Sequence, residues 1–289
     1  METKSDKHEE HRINTFKNAL DFNQIYYADR ALYIPKDKEL TVLKTASNSI
    51  TNHSNLTAMA FELVTEVFSF QHIDQNVGKD DIVLDVGCGE PSLFNLMANS
   101  MSFPNYIGID IRQSAVAQFP NNKNCVVIRD DITTSTVIKS DSVKVVNFTE
   151  VLEHVPKDLG ITILESINRV LVKDGIMILT TPIKPKNKEV DMEREGEKWD
   201  HVTYYEYDDL LTTIESLGFT VREHYFNKFI GMRSTYKVSR KAMIEKYGSA
   251  GQEIFDQVKS IWGQRVAGTI FSNYAGDQVG HIQLIAVKK

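Results

Sequence analysis

Residues 82–91 read Ile82-Val83-Leu84-Asp85-Val86-Gly87-Cys88-Gly89-Glu90-Pro91, an oily run that stops on an acid and then places glycine at two of the next four positions. The run Ile82-Val83-Leu84 does not alternate and follows the polar Lys79-Asp80-Asp81, a pattern that suits a strand buried on both faces of a parallel sheet. Gly87 and Gly89 permit positive φ and bring the backbone close to a ligand, and Pro91 fits the first turn of a helix. Strand, glycine loop and helix start, in that order, predict a nucleotide cradle.

The same beat continues downstream. From Asp81 the chain alternates oily runs with helical ones: YIGIDI, QSAVAQF, CVVIRD, TSTVI, VKVVNF, LGITILESINRVLV and GIMILTTP. This rhythm predicts βαβ units and a parallel sheet. After a polar loop from Lys184 to Lys198, a helix ending at Gly218, the strand FTVREHYF and the closing strand GHIQLIAVKK follow. Between the last two strands, the segment 227–278 shows helical patterns around Arg240 to Tyr247 and Gln252 to Val266. Upstream, Leu56 to Phe68 is spaced for an amphipathic helix. The division expected is a helical cap over 1–75, a core over 76–226, a helical insertion or lid over 227–278 and a final core strand over 279–289.

With 289 residues, 42% hydrophobic and 25% charged, the composition is that of an ordinary globular protein. A formal net charge of −6 argues against sequence-blind adhesion to nucleic acid or to an anionic membrane, so any polyanion site must be local. Cys88 and Cys125 form neither a disulfide framework nor a metal spacing, and they suit a reducing cytosol. The charged N-terminus METKSDKHEEHR does not resemble a signal peptide, and no stretch approaches the ~20 apolar residues of a bilayer span. A cytoplasmic protein without membrane contact is expected.

The next acid narrows the ligand. Asp110 ends the second strand, where a carboxylate can accept both hydrogen bonds of a ribose diol. The loop Gly87-Cys88-Gly89-Glu90-Pro91-Ser92 fails the dinucleotide pattern G-x-G-x-x-G at Ser92. It resembles instead motif I of the class I S-adenosylmethionine (SAM)-dependent methyltransferases, a strand ending in Asp-x-Gly-x-Gly. The likeness runs from about Asp81 to Phe226 and recurs at each strand end. It implies a Rossmann-like α/β fold: a mostly parallel seven-stranded sheet with an antiparallel last strand. It also implies a cofactor site with Asp85 and Gly87 at the methionine end, Gly89 beside them, Asp110 at the ribose, and the neighbouring Cys88 and Ile111 as further cofactor contacts. Asp131 and Ile132 match the pair at the adenine, with Asp130 a rival, and Thr149 and Glu150 lie beside methyl transfer. Leu171-Val172-Lys173-Asp174-Gly175 resembles the family's turn before strand five, with Lys173-Asp174 in place of the usual proline-glycine.

Further chemistry is written in Glu150-Val151-Leu152-Glu153-His154. If a helix begins here, Glu150 lies one turn from Glu153 and His154, so two carboxylates and an imidazole face one point. His201 follows strand five on a loop that the fold returns to the same mouth. Two readings of this set stay open. Glu150, Glu153, His154 and His201 can hold Mg²⁺ or Mn²⁺, as the likeness to ubiquinone-pathway O-methyltransferases and, more weakly, to small-RNA 3′-terminal 2′-O-methyltransferases implies. Alternatively His201, Glu153 and His154 act without metal, as base or as orienting groups.

The acceptor expected is an oxygen or nitrogen of a small molecule. A nucleic acid is the second choice, because Lys228, Arg233, Lys237, Arg240, Lys241 and Lys246 are interleaved with Phe229 and Tyr236 in the insertion. A solvated helix face explains the same residues. Two further readings are a SAM-using enzyme that does not methylate and a binding protein on a retired scaffold. The sequence leaves the oligomeric state unspecified.

Overall fold

The computed structural model describes residues 65, 68–100, 104–119, 124–184, 200–227, 233–270 and 280–289. The predicted N-terminal cap, apart from its last residues, and the polar loop before Asp200 lie outside these. The chain divides into two compact units, one holding the sheet (His72–Phe94, Ser102–Phe226 and Gln278–Lys289) and the other holding the segment Asn227–Asp277.

A helix whose described part covers 68–76 leads into β1 (Ile82–Val86), α1 (Ser92–Ser100), β2 (Asn105–Asp110), the short α2 (Gln113–Val116) and β3 (Cys125–Arg129). Then come β4 (Val143–Thr149), a single 3-10 turn at Leu152–His154, α3 (Lys157–Val170), β5 (Leu171–Ile183), α4 (Tyr207–Ser216), β6 (Phe219–Asn227), α5 (Arg233–Ile270) and β7 (Gly280–Lys288). The seven strands form one sheet in the order β3-β2-β1-β4-β5-β7-β6. Pairing is parallel from β3 to β5 and antiparallel between β5 and β7, as expected. The order reverses between β1 and β4, which opens a crevice at the carboxyl ends of those strands.

The core follows from the unbroken oily runs. Val83, Leu84, Val145, Val146, Phe148, Met177, Ile178 and Leu179 are buried because helices cover both faces of a parallel sheet. Ile163, Leu164, Ile167 and Val170, at helical spacing on α3, bury one stripe against this core.

Local structure departs from the sequence reading in three places. TSTVI forms turns, since Asp131 accepts hydrogen bonds from Thr133 N–H (2.9 Å) and Thr133 Oγ1 (2.8 Å), a local arrangement that competes with helix. No helix begins at Glu150, whose φ of +54° breaks the chain direction before the 3-10 turn. The Leu171–Gly175 turn is absorbed into β5 as a bulge: Val143 pairs with Leu171 and Val145 with Ile176, and Asp174 takes φ +59°.

In the second unit, the 38 residues of α5 do not run as one straight helix but fold back on themselves. Arg240 Nε lies 3.7 Å from Asp256 Oδ1, whereas 16 residues of straight helix span ~24 Å. Gly248, at φ +60°, makes the reversal, and Gly251 has no Cβ to collide with the Met243 carbonyl. The two helical patterns of the sequence are the two arms of this hairpin.

His72 is buried, and its burial pushes the imidazole pKa down to about 4, against the opposing charge of Glu223. Its folded value is below the unfolded one, so its contribution is present above about pH 6.5 and is lost as pH falls towards 4. Up to ~3 kcal/mol is at stake. Denaturant titrations between these limits should show this slope, and His72→Asn should flatten it; an unchanged slope in the variant assigns the acid sensitivity elsewhere.

Candidate active site

Two positive-φ glycines shape the loop after β1, Gly87 at +71° and Gly89 at +51°. The N–H groups of Gly87 and Cys88 donate to the Ile109 carbonyl at 2.8 and 3.2 Å, which ties the loop to β2. A Cβ on Gly87 would lie 2.5 Å from Val151 Cγ2, so only glycine fits there. Gly89 N–H donates to Asp110 Oδ2 at 3.0 Å and so connects the loop to the acid at the end of β2.

Asp110 also accepts from Arg112: its N–H at 2.8 Å, Nε at 3.1 Å and Nη2 at 3.1 Å. Burial pushes the Asp110 pKa up, but the hydrogen bonds from Arg112 and Gly89 outweigh it and hold the carboxyl below its ordinary range. A cavity of about 430 Å³ opens beside it, lined by Gly87, Asp110, Ile111, Asp130, Asp131, Ile132, Glu150 and His154 among others. Small-molecule sites span about 300–1,000 Å³.

Not every predicted cofactor residue faces this cavity. Asp85 is buried, accepting from Tyr106 Oη (2.6 Å) and Asn147 Nδ2 (2.8 Å). Its burial raises the carboxyl pKa against both bonds. Cys88 is buried behind the loop, where desolvation pushes its thiol far above the usual range. Thr149 Oγ1 accepts from Asn147, and Gly89 reaches the cavity only through Asp110.

At the end of β4 the acids and histidines do converge. Glu153 is fully buried, accepts from Thr181 Oγ1 at 3.0 Å, and has its Oε1 3.8 Å from His154 Nε2. The Glu153 carbonyl accepts from Val202 N–H (2.8 Å) and Thr203 N–H (3.1 Å), which returns the His201 loop to the 3-10 turn as expected. His154 Nδ1 sits 3.1 Å from the Asp200 carbonyl, and its ring meets that of His201 edge-on at 4.9 Å. Tyr204 Oη is 2.8 Å from His201 Nδ1.

Of the four predicted metal ligands the structure groups three. Donor atoms of Glu153, His154 and His201 lie within 4.8 Å of one another. Glu150 stays outside that group although its carboxyl group is within hydrogen-bond reach of Glu153's: Thr180 Oγ1 donates to its Oε1 at 2.7 Å, and buried His281 on β7 places Nε2 3.1 Å from its Oε2. With φ at +54°, Glu150 does not take the helical geometry assumed from spacing. Burial and the negative charge of Glu150 push the Glu153 pKa well up, while His281 and Thr180 overcome burial to hold that of Glu150 low. The pair therefore keeps its proton on Glu153 and its charge on Glu150.

Sequence reasoning missed Arg112, Tyr106, Thr180, Thr181 and His281, and placed Asn147 at the end of strand four without its bond to Asp85. The one available signal was polar residues interrupting buried strands, as in VVNF, ILTTP and GHIQL.

The seven-stranded sheet of this order, with a glycine loop after β1 and an acid ending β2, is that of a class I SAM-dependent methyltransferase, Rossmann-like in fold, and the family match agrees. The chain belongs to the methyltransferase domain family, whose sequence profile matches residues 57–224. Among solved structures it is similar to geranyl diphosphate methyltransferase in complex with SAM (11% identity, TM-score 0.54, covering 82% of this chain and 92% of that one). It is also similar to a SAM-dependent methyltransferase from Archaeoglobus fulgidus (14%, 0.50, 78% and 94%) and to the [4+2]-cyclase SpnF (16%, 0.50, 89% and 97%). At such identities the likeness is one of fold. Comparison with curated proteins gives no match. These findings reach the methyltransferase class and stop short of the ubiquinone-pathway branch. Among the described residues no helix is long and apolar enough to cross a membrane.

Proposed function

We propose that the chain methylates an oxygen or nitrogen of a small-molecule acceptor, using SAM held in the 430 Å³ cavity. One observation carries this reading: Glu150 and His154 line the same cavity as Asp110, with Glu153 and His201 directly behind them. Asp110 would hold the ribose, Ile111 and Ile132 the adenine ring, and Gly87 the close backbone approach. SAM supplies a methyl group on a sulfonium, which is already a good leaving group. The chain must then orient the acceptor and, for a hydroxyl, take its proton. His154, partly exposed to the cavity, would accept that proton, with His201 packed against its ring and the Asp200 carbonyl fixing its other nitrogen.

A metal-assisted reading has its own support in the convergence of Glu153, His154 and His201. Two imidazoles and a carboxylate suit Mn²⁺ better than Mg²⁺. Against it, a metal would have to displace the proton that burial keeps on Glu153. The nucleic-acid reading gains less, since Lys241 pairs with Glu245 (3.4 Å) and Arg240 with Asp256 within the hairpin. Free Cys88 and Cys125 suit work in a reducing compartment such as the cytosol.

The test is a thermal-shift titration of S-adenosylhomocysteine (SAH) in chelator and again with Mn²⁺ or Mg²⁺. At about a hundred times its Kd, SAH should add ~2.7 kcal/mol. The base-assisted reading expects SAH to act alone, and expects His154→Ala to abolish methyl transfer while sparing SAH affinity. A further shift with metal, lost in His201→Ala, would replace it with the metal-assisted one. No response to SAH would sink both.

A further inference from the structure

The Asp110 carboxylate that the ribose would need is already saturated. A carboxylate offers about four lone-pair sites. Oδ1 takes the Arg112 N–H at 2.8 Å and Nε at 3.1 Å, and Oδ2 takes the Gly89 N–H at 3.0 Å and Arg112 Nη2 at 3.1 Å. The two backbone donors, Gly89 on the loop after β1 and Arg112 just after β2, cannot leave without remodelling the chain. The other two belong to one guanidinium, on a side chain 63% exposed at the rim of the cavity that Asp110 itself lines. A ribose diol also brings two donors, so the sites it can win are those the guanidinium holds.

We propose that Arg112 is an internal competitor of the cofactor's ribose, closing Asp110 with its guanidinium until the diol displaces it, and thereby setting cofactor affinity. The proposal rests on the reading of the cavity as the SAM site. The exchange is one for one: two guanidinium hydrogen bonds leave the carboxylate and two hydroxyl hydrogen bonds replace them. The two backbone donors keep the carboxylate aimed throughout. Glu90, whose charge also acts on the guanidinium, offers Arg112 a second carboxylate after release. Apparent affinity is then the intrinsic affinity reduced by the fraction of molecules in which Asp110 is free.

Calorimetry of SAH with the full chain, Arg112→Ala and Arg112→Gln, at about 0.05 M and about 0.5 M NaCl, tests this. Both variants should bind about tenfold more tightly at low salt. Wild-type affinity should rise with salt while the variants stay level, because SAH carries no net charge and salt weakens only the internal ion pair. If the wild type binds and the variants bind equally or more weakly, Arg112 is no competitor, and the cavity reading survives. Tighter variants beside a salt-insensitive wild type would show relief of bulk rather than of an ion pair, and would also overturn the proposal. Binding by none of the three would overturn the proposal and the cavity reading together.

Discussion

Asp110→Asn should weaken SAH binding by roughly ten- to a hundredfold. The substitution keeps the shape of the side chain but removes its charge and turns one acceptor into a donor. Hydrogen bonds to a charged partner are worth about 1.5–3 kcal/mol each, and a ribose diol makes two of them. The gross loss is partly offset, because the variant no longer has the Arg112 ion pair to break before binding. Calorimetry on a variant whose unfolding transition matches the wild type measures the remainder. Affinity within threefold of wild type would remove Asp110 from the ribose.

Gly87→Ala acts on stability through two separable effects. Its φ of +71° costs an alanine about 1–2 kcal/mol, and the new methyl group would sit 2.5 Å from Val151 Cγ2. Together they predict a loss of ~2–4 kcal/mol, or roughly 3–7 °C in Tm for a chain of this size. Val151→Ala separates them. Truncation leaves Cβ of residue 151 at 3.5 Å, an ordinary contact, so the double variant should recover the clash and retain the backbone cost. Purely additive losses in this cycle would mean that the loop relaxes away from Val151.

The fold was legible because its evidence is local. An unbroken oily run, two glycines and an acid at each strand end are properties of consecutive residues, and β1 with its loop matches that reading. The hairpin of α5 was visible as two helical patterns, although only Gly248 reveals the turn between them. The site was legible in part. The approach of His201 to Glu153 followed from the order of elements, since the segment after β5 must return over the ends of the strands. The partners of Glu150 did not, because His281 comes from β7, 131 positions further along the chain, and its approach depends on the antiparallel register of β5 and β7. Arg112 was hidden differently: nothing in an arginine two residues after an acid announces that it folds back onto it.

The position of β7 has a bearing on how the protein is made. This strand is inserted between β5 and β6, although both precede it in the chain. During synthesis, therefore, two strands wait with open hydrogen-bonding edges until residues 280–288 leave the ribosome, and such edges invite pairing with other chains. The same nine residues deliver His281 to Glu150, so a nascent chain completes its sheet and the last polar contact of its site in one event. A chain stopped short of β7 would lack both, and would present quality-control proteases with exposed strand edges rather than with a nearly finished enzyme.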